Sequence, residues 1–186
     1  PGVVEALDFI KQVTTRNWRS VDVGKRVAVI GAGNTAIDAV TEAKRLGAEQ
    51  AMILYRRSRV EMPAYAFEFE LAKSDGVIFH FLTAPTRIIG TNHVEAIECR
   101  CMQLGEPDEE GRRKPEPIPG SEFQIPVDMV ITTVGQNLEE TFLAQIPNVK
   151  SRNGRVVVDP ETFQTTNPKF FAGGDCIHGG EEVGNA

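Results

Sequence analysis

No apolar run in these 186 residues approaches the roughly 20 that a membrane-spanning helix requires, so no transmembrane role is expected. Cysteine is scarce and odd in number: Cys99, Cys101 and Cys176. A chain of this length can build a core without covalent staples, so no disulfide framework is expected and a reducing, cytoplasmic compartment is expected. The three histidines, His80, His93 and His178, have no metal-ligand spacing, and no metal is assigned. Basic residues are outnumbered, 20 Lys and Arg against 26 Asp and Glu, for a net charge of −6. That balance argues against a protein that coats nucleic acid or an acidic membrane surface. The chain opens on Pro1 with no initiating methionine, basic stretch or apolar stretch, so no secretory signal is expected and it reads as a piece of something longer.

The modest net charge hides a division. Residues 1–60 hold ten Lys/Arg against six Asp/Glu, or +4, which leaves −10 for the remainder. A positive front end on an acidic chain directs the search for an anionic ligand there.

The periodicities outline an α/β chain. Val3 to Thr14 has a rough helical spacing. Lys25 to Ile30 (KRVAVI) is a short β-branched run that meets GAGNTA directly, a buried strand entering a glycine turn. Thr35 to Leu46 places Ala36, Ala39, Val40, Ala43 and Leu46 on one helical face, with Gly47 as the stop. Ala51 to Tyr55 is the next strand, completing a β-α-β unit of nucleotide-binding size. A helix is expected over Ala64–Ser74, then strands at Val77–Leu82, Thr86–Ile89, His93–Met102, Phe123–Ile125 and Val127–Val134. Gly105 to Ser121, with four prolines and mixed charge, reads as an exposed hairpin loop. A polar hairpin is expected over Arg152–Asp159. The expected architecture is a Rossmann-like three-layer nucleotide-binding fold: a parallel sheet with helices, plus a three-stranded antiparallel β-meander.

Gly31, Gly33 and Ala36 form the G-x-G-x-x-G/A pattern. The first glycine allows a sharp turn off the strand, the second leaves bare backbone for a pyrophosphate, and the small Ala36 lets helix and strand approach. The helix N-terminus adds unpaired N–H groups for the anion. The bland alternative is a tight strand-to-helix turn with no ligand. An NAD or FAD site would place an acid at the end of the second strand, about 20 residues on. Here the chain runs Tyr55-Arg56-Arg57-Ser58-Arg59 instead. Guanidinium groups at that spot suit a ribose 2′-phosphate and point to NADP(H) rather than NAD(H). The alternative is a solvated basic turn.

GAGNTAIDAVTEAKRLGA, YRRSRVEMPA, VITTVGQNLE and FFAGGDCIHGG together resemble the FAD- and NADPH-dependent members of the pyridine nucleotide-disulfide oxidoreductase family typified by the glutamate synthase small subunit. The matching module of dihydropyrimidine dehydrogenase and the NADPH-binding subunits of electron-bifurcating ferredoxin oxidoreductases belong with it. The resemblance implies an NADP(H)-binding domain inserted in an FAD domain, with hydride passing from the nicotinamide to the flavin and on to iron–sulfur clusters. It implies that Gly31, Gly33, Asn34, Thr35 and Ala36 hold the pyrophosphate, Arg56 and Arg57 the 2′-phosphate, and Arg59 a supporting place. Gly135 matches the second glycine turn, between NADPH and the flavin domain. Gly174 and Asp175 match the GD motif that meets the FAD, although a turn or N-cap role would suit Asp175 equally.

The family's first FAD glycine motif and its cysteine-rich iron–sulfur region do not occur in these 186 residues. The expected organisation is therefore a stub of the FAD domain or linker over 1–19, the NADP(H) domain over 20–166 and an incomplete return into the FAD domain over 167–186. No flavin is expected on the piece itself, and no activity from it alone. The complete protein is expected to be an NADPH-dependent flavoprotein oxidoreductase, with the rest of the FAD domain, an iron–sulfur domain and a large catalytic subunit as partners. A non-catalytic NADP(H)-binding regulatory or structural subunit is the alternative.

No side-chain acid or base is required for hydride transfer between two cofactors, and no catalytic residue is assigned. A short-chain dehydrogenase would need Tyr-x-x-x-Lys, but Tyr55 is followed at that spacing by Arg59 and Tyr65 by Phe69. The absence of C-x-x-C removes the dithiol of thioredoxin reductases. Cys99 and Cys101, two apart on a strand, share a face and read as packing residues.

Overall fold

The computed structural model describes residues 1–108, 111, 113–133, 143 and 145–178. The chain divides into two compact units, 1–134 and 135–186.

The first unit is organised around β2 (Arg26–Ile30), whose Val27, Ala28 and Val29 are all buried, as a strand covered on both faces requires. It is the central strand of a five-stranded sheet in the order β1 (Val3–Glu5), β8 (Met129–Thr132), β2, β3 (Gln50–Leu54), β4 (Ile78–His80). All four pairings are parallel, with Ile30 opposite Leu54 on one side and Thr132 on the other. Val27 and Val29 point to one layer, where Phe9 of α1 (Ala6–Thr15), Ile37 and Val40 of α2 (Asn34–Arg45) and Phe69 of α3 (Ala66–Ser74) join one apolar cluster. Ala28 points the other way. With Met52, Leu54 and Val130 it meets Ile97, Cys99 and Phe123 of an antiparallel sheet, β5 (Thr83–Ile89), β6 (Ala96–Pro107) and β7 (Arg113–Pro126). Helices, parallel sheet and antiparallel meander form the three layers expected from the sequence.

Helix α2 stops where anticipated. Gly47 adopts φ +112°, open to glycine at little cost, and its N–H reaches back 3.1 Å to the Lys44 carbonyl. Two segments differ from the sequence reading. The helix expected from Val3 begins at Ala6, because the Val3-Val4 pair takes strand geometry against Val130 and Ile131. Residues 1–15 are thus bound into the first unit, with Phe9 only 1% exposed. The proline-rich stretch 105–121 is a hairpin, as expected, but most of it is strand rather than loop. Pro115 and Pro117 sit on β7, an edge strand, opposite Leu104 and Met102, where a missing N–H is tolerated.

The second unit contains the hairpin β9 (Ser151–Arg152) and β10 (Arg155–Val156). Its turn residues Asn153 and Gly154 have φ of 54° and 70°, the backbone a two-residue hairpin turn demands. The short helix α4 (Asp175–His178) follows Gly174 at φ +68°. Gly135 lies outside the described residues, as do the last eight positions, 179–186.

Candidate nucleotide site

Two of the sequence-selected clusters meet at one end of the parallel sheet. The chain leaves β2 toward β3 on one side while β8 flanks it on the other, so the carboxyl end of β2 is a point where strand order reverses. In open α/β sheets the crevice outside that end is where ligands bind.

Gly31 turns the chain off β2 at φ +128°, its N–H 3.1 Å from the Leu54 carbonyl. A Cβ there would collide with the Thr133 hydroxyl, which donates to the Ile30 carbonyl at 2.6 Å. Gly33 is different: its φ is −82° and a Cβ would meet nothing within 4 Å. The space above it is open. Ala36 is fully buried where α2 meets the sheet. The N–H groups of Ala36 and Ile37 turn back to the Gly33 carbonyl at 2.9 and 3.1 Å. Those of Asn34 and Thr35, in the first turn of α2, have no intrahelical partner and carry the positive end of the helix dipole.

Arg56, Arg57 and Arg59 follow β3, the neighbour of β2 in register. None forms an ion pair with a carboxylate among the described residues, although six other ion pairs are present there. Arg56 is exposed and Arg57 half-buried, and the buried Nε of Arg57 has no hydrogen-bond partner. Arg59 is committed locally, its guanidinium 4.0 Å from the ring centroid of Phe69. Guanidinium groups with no carboxylate partner among the described residues thus lie on the loop that follows β3, and such a group can pair with an anion.

The sequence reading missed what joins the two clusters. Asn34 accepts at Oδ1 from the Tyr65 N–H at 3.2 Å, and the Ala32 carbonyl accepts from the Ala64 N–H at 3.2 Å. The loop from Tyr55 to Tyr65 is thereby sewn to the glycine turn. Within it Glu61 accepts at Oε2 from both the N–H and the hydroxyl of Ser58. The Ser58 hydroxyl bond holds the Glu61 carboxyl below the usual carboxylate range. The Ser-x-x-Glu spacing of a capping box is visible in the sequence, but no helix follows it directly, so the spacing alone does not point to a cap.

In the second unit, Gly174 ends its turn with its carbonyl accepting from the N–H groups of Ile177 and His178 at 3.0 and 3.1 Å. Asp175 is exposed at the first position of α4, an acid in the first turn of that helix. The free cysteines divide by environment: Cys99 is buried, and burial, with Glu98 adjacent, pushes its thiol up to about 11. Among the described residues no cluster of His, Cys, Asp and Glu could hold a metal, and no helix is long and apolar enough to cross a membrane.

Comparison with known proteins agrees with this geometry. The chain is 42% identical over 183 residues, 98% of its length, to the NADP(+)-dependent formate dehydrogenase subunit beta of Moorella thermoacetica, of which it covers 26%. It is 47% identical over 139 residues to the NADPH-Fe(3+) oxidoreductase subunit beta of Geobacter sulfurreducens, covering 74% of the chain and 20% of that protein. With the glutamate synthase [NADPH] small chain of Escherichia coli it shares 38% over 200 residues, 98% of the chain and 42% of the relative. It thus spans between a fifth and about two-fifths of these relatives. Among solved structures, Mycobacterium tuberculosis FprA in complex with NADPH matches with a TM-score of 0.72 at 20% identity, over 98% of this chain and 55% of that one. Thioredoxin reductase of T. acidophilum matches at 0.69 and 19%, over 96% of this chain and 50% of that one. Both show a shared fold. The family model described as pyridine nucleotide-disulphide oxidoreductase matches residues 1–186, and the chain belongs to that family.

Proposed function

We propose that this chain is the NADP(H)-binding module of a flavin-dependent oxidoreductase that passes hydride from NADPH to FAD and electrons onward to iron–sulfur clusters, most like the glutamate synthase small subunit. The observation that carries the reading is the arginine cluster after β3, which has no acid partner among the described residues and includes a buried, unpartnered Arg57 Nε.

The residues fit the nucleotide. The bare backbone of Gly33 and the N–H groups of Asn34 and Thr35 would take the pyrophosphate, with Gly31 and Ala36 shaping the turn. Arg56 and Arg57 would clamp the 2′-phosphate through charge-assisted bonds, and Arg59, held over Phe69, would add to the local field. Bound nicotinamide supplies a hydride and bound flavin accepts it; the chain's task is to hold the nucleotide, which needs no acid or base of its own. Gly135 would lie at the nicotinamide end, and Gly174 and Asp175 would contribute to the flavin side. Residues 20–166 would form the nucleotide domain, 1–19 the entry from the flavin domain and 167–186 the return to it. The remainder of that domain, an iron–sulfur domain and a large catalytic subunit would be the partners. The three free thiols suit a cytoplasmic location. Each relative named above carries an enzyme's name, and no observation favours a purely regulatory role.

Changing Arg56 and Arg57 together to Ala tests the assignment. Charged hydrogen bonds contribute about 1.5–3 kcal/mol each, so NADPH affinity is expected to fall by about two orders of magnitude or more while NADH affinity barely moves. Equal loss for both nucleotides in a titration would sink the 2′-phosphate reading.

A further inference from the structure

We propose that Glu61 is a positioning residue for NADPH selectivity: by holding the turn that carries Arg57, Ser58 and Arg59, it keeps the guanidinium groups off itself and open to the 2′-phosphate. The proposal rests on the NADP(H) reading above.

A carboxylate two residues from Arg59 and four from Arg57 is at first sight out of place in an anion site. Coulomb attraction would draw it to a guanidinium, and an unpaired negative charge there would repel a phosphate. Glu61 keeps its charge, but its geometry holds it off the guanidinium groups. Its Oε2 is occupied by the Ser58 N–H at 3.1 Å and by the Ser58 hydroxyl, and it makes no ion pair with Arg56, Arg57 or Arg59. The turn is closed by further bonds: Val60 N–H to Ser58 Oγ at 3.2 Å, Met62 N–H to the Arg59 carbonyl at 3.3 Å, and Tyr55 hydroxyl to the Glu61 carbonyl at 2.7 Å. Downstream, Ala64 and Tyr65 bind the glycine turn through Ala32 and Asn34. Glu61 is thus the internal brace of a loop anchored at both ends, and the brace sets where three arginines emerge. Ordering a loop before the ligand arrives lowers the cost of binding.

The brace and the bare charge give opposite signs. Removing a carboxylate near a phosphate site strengthens binding if charge alone matters; removing a brace weakens it. In the native protein that contains this chain, Glu61→Ala is expected to weaken NADPH binding by about tenfold, the order of one lost charge-assisted bond, with NADH affinity unchanged. Glu61→Gln, whose amide oxygen can still accept from Ser58, is expected to recover most of that loss. Ser58→Ala, which keeps the backbone N–H, should show a smaller effect of the same sign and carries the test if Glu61→Ala does not fold. Unchanged or tighter NADPH binding, or equal weakening of both nucleotides, overturns the proposal. If Arg56→Ala/Arg57→Ala is selective against NADPH while Glu61→Ala is not, the brace fails alone. If the arginine pair shows no selectivity, the NADP(H) reading fails and takes the brace with it.

Discussion

The two glycines of the turn after β2 look alike in the motif but carry different constraints. Gly31 combines φ +128° with a Cβ position already filled by the Thr133 hydroxyl. Gly33 has ordinary backbone and open space. Gly31→Ala is therefore expected to cost about 1–3 kcal/mol of stability, seen as a lower Tm in calorimetry. Gly33→Ala should leave Tm unchanged and weaken nucleotide binding, because its methyl enters the space a pyrophosphate would use. A Tm loss for Gly33→Ala equal to that of Gly31→Ala would contradict this division. The motif alone revealed both glycines and the turn at Gly31; the close approach of the Thr133 hydroxyl was hidden because Thr133 lies 102 positions away in the chain. Burial separates the thiols in the same way. With its thiol near 11, Cys99 stays protonated at mildly alkaline pH and should resist alkylation until the protein unfolds or the pH approaches that value, whereas half-buried Cys101 and Cys176 are labelled first. Mass spectrometry of briefly alkylated native protein reads this, and equal labelling of Cys99 contradicts it.

At the scale of elements, the strand-turn-helix-strand unit from Arg26 to Leu54 was legible because β-branched runs, a helical apolar stripe and glycine stops agreed with one another. Legibility failed where partners distant in sequence decide. Val3–Glu5 is strand only because β8 stands beside it, and β7 accommodates its prolines only because it is an edge. The loop after β3 is a third case: its arginines were conspicuous, but its brace, Glu61, and its anchors, Ala32 and Asn34, come from bonds that no periodicity records. Helix α1 is bound into the first unit rather than trailing from it, so Phe9→Ala is expected to cost about 3–5 kcal/mol, as for a large core side chain. A shift in denaturation midpoint near zero would show instead that residues 6–15 are not part of the core.

At the scale of the whole molecule, the charge division read from the sequence acquires a place. The basic first third contains the turn after β2 and the arginines after β3, both at the carboxyl edge of the parallel sheet. The acidic remainder includes the meander and the second unit, whose Gly174 and Asp175 would serve a flavin. On the proposed division, in which the rest of the flavin site belongs to other parts of the protein, the 186-residue chain is expected to purify colourless, and a stoichiometric flavin absorbance spectrum would contradict it. The central claim, a nucleotide module selective for the 2′-phosphate, is tested most directly by titrating the unaltered protein with NADPH and with NADH under the same conditions. NADPH is expected to bind tighter by about two orders of magnitude, the contribution of two charge-assisted arginine contacts; equal affinity, or a preference for NADH, would contradict it.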